Sequence, residues 1–225
     1  MFSWLKNLFK NKSNLSEIPT SSTPANFPAN NSSIYDFKFA DVSHYEKVDF
    51  DLYDCKILIT KATEGTSNVD STFKSIKAQA KLKGLRFGAY HFFRCNLSAI
   101  EQAKFFLNTV GNFDLPPILD IEELNGASQE GCKQLIKSWL EYVEQKTGMI
   151  PVIYSGHSFL VELNLDQSFA KYPLWLARYT TIRPVPPAPW KEWTAWQYSD
   201  KDIFKGIGAC DSNIYNGKLN GLGLK

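Results

Sequence analysis

The sequence predicts an irregular α/β barrel of the TIM type, with about eight strands and helices incomplete in the C-terminal third. Three observations carry that expectation. From Tyr35 onward short apolar runs alternate with longer amphipathic ones, the pattern of parallel strands joined by helical crossovers. About eight such apolar runs fall in one stretch of domain size, which favours a closed barrel over an open sheet. The alternation then fails after Tyr154, where the connections lose helical period and collect Pro184, Pro186, Pro187 and Pro189.

Taken in order, residues 1–12 set Phe2, Trp4, Leu5, Leu8 and Phe9 on one helical stripe, with Lys6, Lys10 and Lys12 mainly off it. This predicts a short basic amphipathic helix able to make weak contact with an anionic membrane surface, against the plainer expectation of a frayed terminus. The stretch is too short to span a bilayer and lacks a signal peptide's apolar core and cleavage site. Residues 13–36, rich in Ser, Asn, Pro and Thr, read as a flexible linker, and residues 37–225 as the barrel.

Strands are expected at Phe37–Val42, Lys56–Lys61, Arg86–Phe93, Ile118–Ile121, Pro151–Tyr154, Leu174–Ala177, Thr194–Tyr198 and near Ala209–Cys210. Helical period covers Ser71–Lys83, Ser98–Val110 and Ser128–Thr147; in the last, Leu135, Ile136, Trp139, Leu140 and Val143 share a face. Gly84, Gly111 and Gly148 stand just past the helix ends, where a left-handed residue is wanted.

Composition narrows the function classes. A net charge of +2 is too small to argue for nucleic acid, and none is expected as a partner. The aromatic share of 14% suits the flat faces of sugar rings, although most such residues serve a core. Cys55, Cys95, Cys132 and Cys210 form no C-x-x-C pair, and His44, His91 and His157 show no ligand spacing, so no structural metal is expected. The even number of cysteines leaves disulfides possible, but a chain this long does not need them, so free buried thiols are the expected state, and the chain is expected to be a monomer. Cys95 with His91 makes a poor nucleophile and base, because nothing nearby would orient the histidine. His91 itself, inside an apolar strand, reads as a core histidine.

In barrels the chemistry collects at the C-terminal ends of the strands. Polar residues at those ends are Asp41, Lys61 with Glu64, Tyr90, Asp120 with Glu122, Tyr154, Arg178 with Tyr179, Trp196 with Gln197, and Asp211. Together they describe an acidic, aromatic-lined bowl. Its centre is Leu115–Glu123, where two prolines end what precedes and Ile118, Leu119 and Ile121 read as a short strand. Alternation puts Asp120 and Glu122 on one face with Cα atoms roughly 6.5–7 Å apart. Such a pair is unfavourable without a task, and an acid with a second carboxylate is the minimum equipment for cleaving a glycosidic bond. A solvated turn or helix cap is the competing reading. Arg178 could pair with the acids, grip a substrate carboxylate or serve a structural ion pair; Lys61 and Glu64 could pair with each other at the rim.

Eight segments in register resemble one family: Asp41-Val-Ser43, Lys61-Ala-Thr-Glu-Gly65, Gly88-Ala-Tyr-His-Phe92, Leu119-Asp-Ile-Glu122, Pro151-Val-Ile-Tyr154, Pro173-Leu-Trp-Leu-Ala177, Trp196-Gln-Tyr198 and Asp211-Ser-Asn213. The chain is similar to glycoside hydrolase family 25, the muramidases of the Chalaropsis lysozyme type. The resemblance implies an irregular β/α barrel that hydrolyses the β-1,4 bond between N-acetylmuramic acid and N-acetylglucosamine in peptidoglycan, without metal or organic cofactor. It implies Glu122 as general acid. Asp120 would stabilise positive charge at the sugar carbon or orient the acetamido group. Asp41 and Asp211 would complete an acidic ring, Tyr90, Tyr154, Trp175 and Trp196 would touch sugar, and Lys61, Glu64, Arg178 and Gln197 join the candidates for substrate binding.

The chain departs from the family's pattern after Ser43: Tyr45, Glu46 and Lys47 stand where Trp-Gln-Gly is usual, and Phe50 where a Trp is usual. Two rival readings are a chitinase-like glycosidase, disfavoured by Ile118 where that family keeps another acid, and a barrel that binds peptidoglycan without cutting it. The expected location follows from the same reading. The protein is expected to be made in the cytoplasm without a recognisable signal peptide or C-terminal wall-binding repeats, and to reach the wall through a holin, a secretion machine or lysis.

Overall fold

A computed structural model of the protein describes residues 37–217. The helix expected over 1–12 and the linker over 13–36 lie outside the described residues. The elements run β1 (Phe37–Val42), β2 (Ile57–Glu64), β3 (Asn68–Val69), α1 (Phe73–Leu82), β4 (Arg86–Phe92), α2 (Ala99–Val110), β5 (Ile118–Asp120), α3 (Gln129–Thr147), β6 (Val152–Gly156), α4 (His157–Leu163), a 3₁₀ turn at Gln167–Phe169, β7 (Leu174–Ala177), β8 (Ala195–Phe204) and β9 (Gly208–Tyr215).

β1, β2, β4, β5, β6, β7, β8 and β9 close on themselves through the β1–β2 and β1–β9 pairings, and β3 is a short appendage on β2. The barrel is therefore mixed. Seven strands run parallel in sequence order, while β9 runs antiparallel to both β8 and β1. The last strand, expected near Ala209–Cys210 as one more repeat, is instead the return arm of a hairpin. Gly206 makes that turn at φ +83, with Asp49 O and Tyr53 N each only 2.7 Å from where a Cβ would stand.

Alternation sorts the side chains into two layers. Phe39, Ile57, Ile59, Ile118, Trp175 and their neighbours fill the barrel's interior. Gly88 belongs to this inner set for lack of room, since a Cβ there would meet Ile59 Cγ1 at 2.9 Å. Residues of opposite parity, among them Leu58, Phe87, Leu119, Ile153 and Leu176, face outward into the larger core shared with the helices. α1 buries Phe73, Ile76 and Ala80, α2 buries Ala103, Phe106 and Val110, and α3 buries Ile136, Trp139, Leu140 and Val143. Ser98 and Ser128 cap α2 and α3 by accepting from Glu101 N and Gly131 N. Gly84, Gly111 and Gly148 take the expected positive φ beyond α1, α2 and α3. α4 was not expected: seven residues without a side-chain cap offer too little period to read.

The expectation of four free thiols is corrected at two. Cys95, just after β4, and Cys132, in the first turns of α3, form a disulfide with Cα atoms 5.1 Å apart, while Cys55 and Cys210 stay unpaired. The two crossovers are neighbours only because β4 and β5 pair, so a separation of 37 residues carries no trace of the bond in sequence. Closing a loop of that size constrains the unfolded chain by about 4 kcal/mol. The double variant Cys95→Ala/Cys132→Ala is expected to melt about 8–15 °C below the parent in non-reducing calorimetry. An unchanged melting temperature would mean the crosslink does not form.

Candidate active site

The barrel's mouth lies where the seven parallel strands end. Asp120 is the last residue of β5, and Glu122 follows two positions later on the same side. Asp211 reaches this mouth by the opposite route. It stands in the first half of β9 and is paired in register with Asp41 of β1, so the two carboxyls share a face. A strand of the other polarity places its beginning, not its end, at the site.

The walls are tied by amides. Asp41 Oδ1 accepts from Asn213 Nδ2 at 2.7 Å and from Gln197 Nε2 at 3.1 Å. Gln197 Oε1 in turn accepts from Tyr154 Oη at 2.8 Å and Tyr179 Oη at 3.2 Å. Asn213 Oδ1 takes the Trp175 indole N–H at 2.8 Å. Every partner but Tyr179 is buried, which fixes the position of each donor and acceptor. Asp41, Tyr90, Asp120, Tyr154 and Trp175 line the hollow at the bottom. Larger grooves lie elsewhere, one between the ends of α2 and α3 by Lys104, Phe113 and Tyr142, and neither the acids nor their partners border it.

The electrostatics follow from crowding acids into a dry place. The Asp120 and Glu122 carboxyls are close enough that each bears on the other's proton affinity. Burial pushes Glu122 up to about 7; the neighbouring Asp120 carboxyl works against that, and the charges of Glu123 and Asp41 add to it. Asp120 is raised well above the carboxylate range by burial first and by the Glu122 charge second. The pair titrates as a unit that keeps a proton near neutrality. Burial lifts Asp41 to about 6 against its amide bonds, and lifts Asp211 to about 9 with help from Asp41 and Glu46. Lys61 pulls the central pair the other way. Asp120 Oδ1 is buried without a hydrogen-bond partner among the described residues, a free acceptor at the bottom of the bowl.

Lys61 and Glu64, of opposite parity, would face opposite sides of a regular strand. A bulge between Lys61 and Thr63 re-aims the strand end, and the two meet with Lys61 Nζ 2.6 Å from Glu64 Oε2. Two candidates are not brought to the bowl. Trp196 lies on the outward parity of β8, packed between Trp193 and Tyr198, with its indole N–H on the Arg178 carbonyl. It is a core residue, one position out of phase with the site. Arg178 is exposed, and no carboxylate among the described residues lies within ion-pair distance of its guanidinium, so it does not pair with the acids. Its backbone N–H holds the Gln197 carbonyl instead.

The histidines stay outside the chemistry. His91 is fully buried, bonded to Thr63 Oγ1 and Gln102 Oε1, and lowered to about 4 by burial. His44 pairs with Asp70 at 2.7 Å. Cys95 is spent in the disulfide.

Sequence reasoning gave no site role to three contributors: Asn213, Glu46 and Arg94. Asn213 stands two residues from Asp211, so the period of two could have found it. Glu46, where the family's pattern has glutamine, turns back to accept from Ser43 N at 2.8 Å and Ser43 Oγ at 3.1 Å, and adds its charge to Asp41 and Asp211.

Comparison with known proteins bears on the family and the fold. The model of the family described as Glycosyl hydrolases family 25 matches residues 40–207. The chain is 39% identical over 165 residues to the Escherichia coli protein YegX, a match covering 72% of this chain and 60% of that one. It thus spans about three fifths of that relative's length. It is 32% identical over 199 residues to an N,O-diacetylmuramidase of Arthroderma benhamiae, covering 81% and 83% of the two chains. Among solved structures it is similar to the bacterial lysozyme of Streptomyces coelicolor, with a TM-score of 0.78, 29% identity, and coverage of 85% and 96%.

Proposed function

The chain belongs to glycosyl hydrolases family 25, and from that premise we propose that it is a lysozyme cutting the β-1,4 bond after N-acetylmuramic acid in peptidoglycan. The observation that carries the reading is the Asp120–Glu122 pair, two neighbouring acids at the end of β5 whose burial raises the proton affinity of both, with Asp120 lining the hollow beside Asp41, Tyr90, Tyr154 and Trp175.

A glycosidic oxygen leaves poorly, so it must be protonated as the bond breaks while positive charge gathers on the sugar carbon. Glu122, partly exposed at the strand end and raised to about 7, is placed to deliver that proton. Asp120 lines the hollow and keeps one oxygen without a partner among the described residues, which suits it to face the charged centre or to accept from an acetamido N–H. Asp41, held by two amides, supplies further negative charge opposite. Tyr90, Tyr154 and Trp175 give the bowl apolar faces with few rotamers, and the half-exposed Tyr179 extends them toward the rim. The disulfide suits a place of action outside the reducing cytoplasm.

Digestion of purified peptidoglycan followed by mass spectrometry of the released fragments tests this. New reducing ends on N-acetylmuramic acid are expected. Ends on N-acetylglucosamine would move the assignment to another glycosidase, and binding without new ends would reduce the barrel to a wall-binding module.

A further inference from the structure

We propose that Arg94 is a positioning residue for Glu122, acting by clamping the adjacent Glu123 to the end of β2. The proposal rests on the reading of Glu122 as the proton carrier. Arg94 follows β4, and its guanidinium bridges two carboxylates from different elements. Its Nε lies 3.0 Å from Glu64 Oε1, its Nη2 also reaches that oxygen, and its Nη1 lies 3.3 Å from Glu123 Oε2.

The clamp is itself held. The guanidinium lies 4.8 Å from the Phe92 ring centroid, and the backbone N–H and carbonyl of Arg94 both bond the Gln102 side-chain amide at 2.9 Å. From the other side, Asn125 Nδ2 donates to Glu123 Oε2 at 2.8 Å, and Asn125 Oδ1 accepts from Cys95 N at 3.0 Å. Cys95 then continues through its disulfide to α3. The segment leaving β4 is thus laced to the segment leaving β5 on the far side of Glu122, which sits between the strand end and this knot.

A single exposed ion pair adds little stability. Here the consequence is where the loop stands and how much charge reaches its neighbour. The groups facing Glu122 are Asp120 on its own strand, Asp41 from β1, Lys61 from β2, Tyr90 from β4, Tyr154 from β6 and Tyr179 beyond β7, with Glu123 beside it. Glu123 is the one of these whose charge Arg94 offsets directly.

The test is direct titration of Glu122 by NMR of side-chain-labelled glutamate, together with the pH profile of peptidoglycan solubilisation. Arg94→Gln frees the Glu123 charge and is expected to move the Glu122 titration, and the basic limb, up by about 0.5–1 pH unit. Glu123→Gln leaves the guanidinium and should move both down by a similar amount. The double variant should return close to the parent, a reversal that mere loosening of the fold would not produce. Arg94→Lys keeps the charge but loses the fork, so the limb should stay while kcat falls. Shifts below about 0.2 unit, or shifts of the same sign in Arg94→Gln and Glu123→Gln, overturn the proposal. The titration needs no substrate, so a parent protein inert toward peptidoglycan would sink the lysozyme reading while leaving this one decidable.

Discussion

Glu122→Gln is expected to slow solubilisation of peptidoglycan by about 10³-fold with the fold intact, within the range that a general acid contributes. Glutamine keeps the size and one acceptor of the side chain but has no proton to give. The wall around it is undisturbed, since Asp41 keeps its bonds to Gln197 and Asn213. In the parent, activity should fall as pH rises through about 7, where the acid loses its proton. In the variant the residual rate should lose that limb. Clearing of wall suspensions across pH measures both, and a variant within threefold of the parent would remove Glu122 from the role.

The same substitution has a stability consequence of definite sign. A carboxyl whose proton is held more tightly in the folded than in the unfolded chain stabilises fully below its ordinary pKa. That contribution is lost as pH rises through the folded value. The folded values are about 6 for Asp41, about 7 for Glu122 and about 9 for Asp211. The parent should therefore lose melting temperature from about pH 4 to pH 9. Glu122→Gln carries no buried charge to lose, and at pH 8 it should melt at or above the parent. A variant that is inert yet more stable separates catalytic loss from misfolding.

Asp120→Asn is the second large effect, an expected fall of about 10²-fold or more in kcat with a smaller change in KM, as for loss of one electrostatic stabiliser of a transition state. The residue is buried, one of its oxygens has no partner among the described residues, and the other interaction is with Glu122. The asparagine amide can donate to a charged Glu122, which favours its ionised form and should move the basic limb to lower pH. Kinetics against defined muropeptide oligomers at several pH values would check both changes. Parent-like kcat with an unmoved limb would leave Asp120 as a structural acid.

How far each of these residues could be read in advance depends on what sequence patterns encode. β1 and β7 fall where their apolar runs predicted, residue for residue, because polar or proline-containing segments flank them. Asp120 and Glu122 were legible because two positions on one strand return to one face, whatever the strand packs against. Other placements depended on facts that the period does not contain. Trp196 and Gln197 are adjacent, so one must face away, and packing against Trp193 and Tyr198 claimed the tryptophan. Lys61 and Glu64 share the rim only through a bulge.

By its own pattern, then, this chain determined the eight strands of the barrel, the positions of its longer helices and the face its acid pair occupies, though not the short β3. Those depend on local alternation of apolar and polar residues, which a linear string carries in full. The tertiary structure decided the polarity of β9, and with it the arrival of Asp211 opposite Asp41. It also decided the bond between Cys95 and Cys132, the bridge from Arg94 to Glu123, and the raised proton affinity of the bowl. Each of these depends on which distant segments become neighbours and how much water they exclude, and neither quantity exists until the barrel has closed.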